Sequence, residues 1–208
     1  IIIVFYSDHL SSLVNSTIEF AGALTSHATS EILSGNYGIF LHFDQSSIAY
    51  EIISTSMHAE MDGNVSSGDF CAIGINCNGM PDIHGVLRDV TLLSEGVIIA
   101  SAPDASANGV QIKCDNNSTL DLTNVDITST ASLFGYSPDQ VVLSGMQSGS
   151  WNGLRIYGGG TVDGPEVAGI IIDAGDECIN SDCLLKIENC TLVMNGTLSA
   201  SLGYGKYL

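Results

Sequence analysis

The chain has 208 residues, of which 23 are acidic and five basic, for a formal net charge of −18. A polyanion with so few Lys and Arg repels phosphate backbones and anionic lipid headgroups, which excludes nucleic acid and membrane surfaces as partners. Only 13% of residues are charged against 45% hydrophobic, and the mean hydropathy of +0.29 excludes a disordered chain.

In chain order, Ile1-Ile2-Ile3-Val4-Phe5-Tyr6 reads as a buried or donated strand. It is too short to span a bilayer and has no basic flank. Residues 11–30 carry a partial amphipathic stripe, Leu13, Ile18, Phe20 and Leu24, that suits a helix, while their Thr, Ser and Gly content suits a strand nearly as well. From Tyr37 onward the pattern is strand and turn, with β-rich runs over 37–43 and 48–53. Residues 1–70 fit the later repeat loosely, so an N-terminal cap or strand-rich extension is expected there, with regular coils over 71–208.

The second half nearly repeats itself. Leu120-Asp121-Leu122-Thr123-Asn124-Val125-Asp126-Ile127 returns as Leu185-Lys186-Ile187-Glu188-Asn189-Cys190-Thr191-Leu192, and Arg88-Asp89-Val90-Thr91-Leu92 is a partial third copy. Alternation places Leu120, Leu122, Val125 and Ile127 inside and the intervening polar residues outside. The two asparagines lie 65 residues apart, which suggests three turns of about 22 residues each. An Asn at such a corner can satisfy backbone groups left unpaired by the bend and stack on its equivalent in the next turn. A second element, a small or polar residue, Gly and three mostly apolar residues, recurs at Gly96, Gly109, Gly153 and Gly169, as though glycine supplied one repeated corner. A β-sandwich would not repeat one octet with Asn at a fixed place. The expected fold is therefore all-β, a right-handed parallel β-helix.

Six cysteines, Cys71, Cys77, Cys114, Cys178, Cys183 and Cys190, form an even set, and N-x-S/T sequons begin at Asn15, Asn64, Asn116, Asn117, Asn189 and Asn195. Together they point to disulfides, glycosylation and an extracellular or cell-surface location. The fifteen possible pairings stay open. Zinc is disfavoured, because no C-x-x-C pair occurs and no His lies near the last three cysteines.

Residues 108–130 and 169–196 resemble rungs of right-handed parallel β-helix proteins, including pectate-lyase-like folds and secreted modules that bind acidic polysaccharides. Gly175-Asp176-Glu177-Cys178-Ile179 is similar to the G-D-D-C-I motif of polygalacturonases, inverting glycosidases that work with several carboxylates. Asp163, in Thr161-Val162-Asp163-Gly164, would stand for that family's N-T-D-G element, without its Asn. The family's G-H-G falls at Gly203-Tyr204-Gly205, where Tyr replaces His, and no R-I-K follows. With those groups missing, no catalytic residue is expected and the chain reads as a non-enzyme. Asp173, Asp176, Glu177 and Asp182 offer oxygen ligands for Ca²⁺, a cofactor the resemblance supports. No other cofactor is implied.

His9, His27, His42, His58 and His84 are scattered and form no metal or catalytic frame, and no G-x-S-x-G elbow occurs. Trp151 and the tyrosines could form a sugar-stacking platform, or Trp151 could simply pack at its Gly corner. Two functions remain. The first is a sheath, filament or cell-surface subunit that polymerises through open β edges, since no charged, Pro-bearing cap is evident and residues 198–208 hold no acid. The second is a module for acidic polysaccharides, with Ca²⁺ bridging to uronic acids.

Overall fold

The computed structural model describes residues 1–5, 10–26, 35–43, 49–66, 68–77, 83–102, 105–173 and 184–205. Every helix or strand among them is a strand: β1 (Ile2–Phe5), β2 (Leu10–Val14), β3 (Thr17–Ser26), β4 (Gly35–Phe43), β5 (Ala49–Ile53), β6 (Ser56–Val65), β7 (Asp69–Cys77) and β8 (His84–Ala100). The series continues with β9 (Ala107–Ser129), β10 (Ser132–Phe134), β11 (Asp139–Asn152), β12 (Arg155–Gly158), β13 (Thr161–Asp173), β14 (Leu185–Glu188), β15 (Thr191–Met194) and β16 (Thr197–Gly205). The stripe over residues 11–30 thus belongs to β2 and β3 rather than to a helix. Its Thr, Ser and Gly lower helix propensity, and both strands are paired in the sheet.

All pairings are parallel, and they sort into three ladders that the chain visits in turn, building a β-solenoid of about five turns. The first ladder runs β1–β4–β7–β9–β11–β13. The second joins β2, β5 and the start of β8 to the middle of β9, the end of β11 and β14. The third joins β3 and β6 to the rest of β8, then to β9 with β10, β12 with β13, and β15 with β16. The described strands of residues 1–70 pair in the same parallel fashion as the rest.

Register turns the alternation of each strand into apolar columns. One runs Ile39, Ile73, Val110, Val141 and Ile170; another Leu13, Ile52, Leu87, Leu122, Trp151 and Ile187; a third Ile18, Met57, Leu92, Ile127, Ile156 and Leu192. Adjacent coils stack at strand spacing, about 4.8 Å, so each side chain is covered by its equivalents above and below. Leu120, Leu122, Val125 and Ile127 are all buried. Large residues are accommodated by glycine on the next coil: the Tyr50 ring fills the space a side chain at Gly85 would need. Trp151 is buried and its indole N–H donates to the Leu120 carbonyl at 3.0 Å, so it is a packing residue and not a sugar platform.

The bends answer the glycine question. Asn15, Ser54, Asp89, Asn124 and Asn189 have φ between 49° and 55°, Gly153 has φ 74°, and these six residues follow register partners of the second ladder. They are one column of left-handed corners joining the second ladder to the third. Successive members lie 29 to 39 residues apart, so Asn124 and Asn189 are separated by two turns, not by three of about 22 residues. The shorter period overlooked the third ladder, which adds a strand to each turn. Gly153 alone among the four recurrent glycines sits in this column. Gly96 bends the interior of β8 at φ 98°, while Gly109 and Gly169 follow Asn108 and Ala168, which share register with Asp139. The tetrapeptides look alike because glycine serves whichever close approach is present.

Candidate functional site

The coil ends differ from everything between them. Among the described residues β1, β2 and β3 at one end, and β14, β15 and β16 at the other, each pair on one side only. At the last coil the columns that are buried in the middle reach the surface. Ile187 is 49% exposed and Leu192 40%, whereas Leu122 and Leu92, at the same places two and three coils earlier, are 0% exposed. Of eleven large hydrophobic residues exposed in the described chain, nine belong to the end coils: Ile1, Ile2, Val4, Leu10 and Val14 at one end, Leu184, Ile187, Leu192 and Val193 at the other. Only Val97 and Tyr157 lie between. Charge is thin at the ends too: in residues 1–5, 10–26 and 184–205 the charged side chains are Glu19, Lys186 and Glu188, the last two an ion pair at 3.0 Å.

Among the described residues most acids lie on the middle coils, where neighbouring rungs tie several of them into cross-coil bonds. Asp126 holds the Arg155 guanidinium with both carboxylate oxygens and pushes its pKa up, by hydrogen bonding first and charge second. His84 meets Asp121 at 2.8 Å and His58 meets Glu95 at 3.0 Å. These two histidines are surface pairing groups; His9 and His27 lie outside the described residues. The corner column is linked in the same way. The Asn124 side-chain amide donates to the Asp89 carboxylate at 3.1 Å, and the Asn189 side-chain amide donates to Asn152 Oδ1, beside the corner Gly153, at 3.1 Å.

No disulfide is present among the described residues. Cys71, Cys77 and Cys114 are buried thiols, and the thiol of Cys190 donates to the Glu188 carbonyl at 3.2 Å. Cys71 donates to the Ile73 carbonyl at 3.0 Å, and burial pushes its pKa up. Cys77 and Cys114 are register partners on adjacent coils beside the Tyr50 hydroxyl, which lies 3.8 Å from the Cys114 sulfur. Burial raises the pKa of that phenol well above its usual value, and the two thiols add to the effect. Cys71, Cys77 and Cys114 thus pack in the interior, where a thiol behaves as a small hydrophobe. Cys178 and Cys183 lie outside the described residues.

Of the calcium candidates, Asp173 closes β13 at an exposed position, while Asp176, Glu177 and Asp182 lie outside the described residues, as does Gly175-Asp176-Glu177-Cys178-Ile179. Among the described residues no group of three His, Cys, Asp or Glu is placed to hold a metal. Asp163 is exposed on β13 between Phe134 and Ser199. The sequon residues Asn15, Asn64, Asn189 and Asn195 are exposed; Asn117 lies within β9. Signals for the open ends were present in the apolar run Ile1–Val4 and in the alternating Ile187, Leu192 and Val193, but their exposure depends on which coil they occupy. Comparison with protein-family models, with curated proteins and with solved structures finds no match.

Proposed function

We propose that this protein is a non-enzymatic structural subunit of an extracellular sheath, filament or cell-surface layer, whose copies stack end to end through their open coils. The observation that carries the reading is the pair of apolar ends, charge-poor among the described residues, on an otherwise acidic coil. The two ends are complementary because they are successive rungs of one pattern. A second copy seated on the last coil sets its Leu13 over Ile187, its Ile18 over Leu192 and its Asn15 over Asn189, continuing three columns. Such a contact is heterologous and does not close, so it generates fibres rather than rings. Open strand edges favour it, since they leave N–H and C=O groups for another chain to pair.

The finer reading places the coil in the right-handed, pectate-lyase-like superfamily. Support comes from the general right-handedness of parallel β crossovers and from the resemblance of residues 108–130 to its rungs. Secretion and glycosylation at the exposed sequons belong to the same proposal. Analytical ultracentrifugation and negative-stain microscopy test the assembly. Wild type is expected to form concentration-dependent linear particles, and Ile187→Lys to stay monomeric with the urea midpoint of dilute, monomeric wild type. A wild-type chain that remains monomeric at high concentration would sink the idea.

A further inference from the structure

Two adjacent coils of the first ladder carry a pair of thiols that assembly through the coil ends does not use. Cys77 closes β7, and its register partner on β9 is Cys114. Both are buried inside the coil, Cys77 at 0% and Cys114 at 3% exposure. The Tyr50 hydroxyl lies 3.8 Å from the Cys114 sulfur and hydrogen-bonds with both thiols, so the two sulfurs converge on one oxygen. Register partners on neighbouring parallel strands hold their Cα atoms about 4.8 Å apart. That falls within the span of about 4.4–6.8 Å that a disulfide bridges.

The other described cysteines are placed elsewhere. Cys71 begins the same extended strand that Cys77 ends, about 20 Å away at roughly 3.3 Å per residue. Its register partner is Asn108, and its thiol donates to the Ile73 carbonyl at 3.0 Å. Cys190 follows the Asn189 corner on the last coil, where it donates to the Glu188 carbonyl at 3.2 Å. Among the described residues, then, Cys77 and Cys114 are the cysteines that face each other across a coil boundary. Packing fixes the hydroxyl they share: the Tyr50 ring stacks on Phe43 at 4.4 Å, and Phe43 on Phe5 at 4.6 Å.

We propose that Cys77 and Cys114 form a cross-coil disulfide that staples β7 to β9 when the opening chain meets a small-molecule disulfide. One thiolate attacks the S–S bond of the reagent, giving a mixed disulfide and one reduced thiol. The second cysteine then attacks the protein sulfur of that mixed disulfide and expels the other reduced thiol. Two protein S–H bonds and the reagent S–S bond give way to one protein S–S bond and two reagent S–H bonds. The two cysteines together lose two electrons, and the reagent gains them. Burial requires the reagent to arrive while the coils are apart, and it encloses the finished bond once they close. A disulfide sulfur still accepts weakly, so the Tyr50 O–H keeps a partner. The link joins residues 37 positions apart and thereby restricts the unfolded chain.

The test incubates the reduced full chain with oxidised glutathione in urea just below its unfolding midpoint, where coils open and reclose. Remaining thiols are blocked with N-ethylmaleimide in concentrated urea, and a non-reducing digest is read by tandem mass spectrometry, which separates Cys71 from Cys77. A Cys77–Cys114 link is expected in most molecules, with Cys71 outside it. The linked chain should show a urea midpoint about 1 M above that of the reduced chain, both read at a dilution where the chain is monomeric. Glutathione treatment of the double variant Cys77→Ala/Cys114→Ala should give no such shift, and the peptide map decides even where that variant fails to fold. Maleimide or glutathione on both cysteines in most molecules overturns the proposal. So does a link from either one to a different cysteine, or a linked chain whose midpoint is unchanged.

Discussion

Leu122 and Ile187 occupy one column, face one interior and sit in two copies of one octet, yet the first is wholly buried and the second is half in water. Nothing in the octets distinguishes them. The difference is that Leu122 has a coil on each side and Ile187 has one. In a solenoid the core is made between rungs, so stability is a sum of neighbour interfaces and a terminal rung carries only half its share.

That contrast can be broken most forcefully in the middle. Trp151→Ala removes the largest buried side chain and its bond to the Leu120 carbonyl, and is expected to cost about 3–5 kcal/mol in urea unfolding. Leu122→Ala should cost about 2–5 kcal/mol, whereas Ile187→Ala, already half exposed, should cost under about 1 kcal/mol. Both are read at a dilution where the chain is monomeric; an Ile187→Ala loss that grows with protein concentration would show the end covered by another copy. Gly96→Ala is next. At φ 98° its new Cβ would run into the Met61 carbonyl on the adjacent coil, and a loss of about 2–3 kcal/mol is expected.

Smaller effects sharpen the comparison along the corner column. Asn tolerates the left-handed conformation better than other residues with a side chain, so Asn124→Ala should cost about 1–2 kcal/mol, including its bond to Asp89. Ser54, strained at φ 49° in the same column, should instead be stabilised by about 0.5 kcal/mol on replacement by Gly, read as a raised urea midpoint. A destabilised Ser54→Gly would show that its side chain does more than tolerate the bend. The least change concerns pH. The Tyr37 phenol has a folded pKa of about 12 against 10.0 for a free tyrosine, so its contribution to stability is complete below pH 10.0 and is lost as pH rises towards 12. One phenolate should therefore appear late in an ultraviolet titration and disappear from that position in Tyr37→Phe.

Much of the coil was legible because each rung obeys period-two alternation and its corner needs a residue that accepts positive φ. Leu120 to Ile127 and Leu185 to Leu192 display both features in eight letters. The turn length was not legible, since the segments of the third ladder, such as β6 and the end of β8, share no motif with the octets. Nor was the crowding at Gly74, which lies under the Tyr37 and Phe40 rings only once β4 and β7 are in register.

Alternating apolar residues, αL-tolerant corners and an excess of carboxylates were fixed locally, residue by residue, and they determined an acidic all-β chain with repeating rungs. Which rung covers which, how many residues make a turn, and which of two similar octets ends in water were decided by tertiary stacking. The reason is that a rung has no interior of its own: burial and unpaired edges are properties of neighbouring coils, set by register between residues 28 to 39 positions apart.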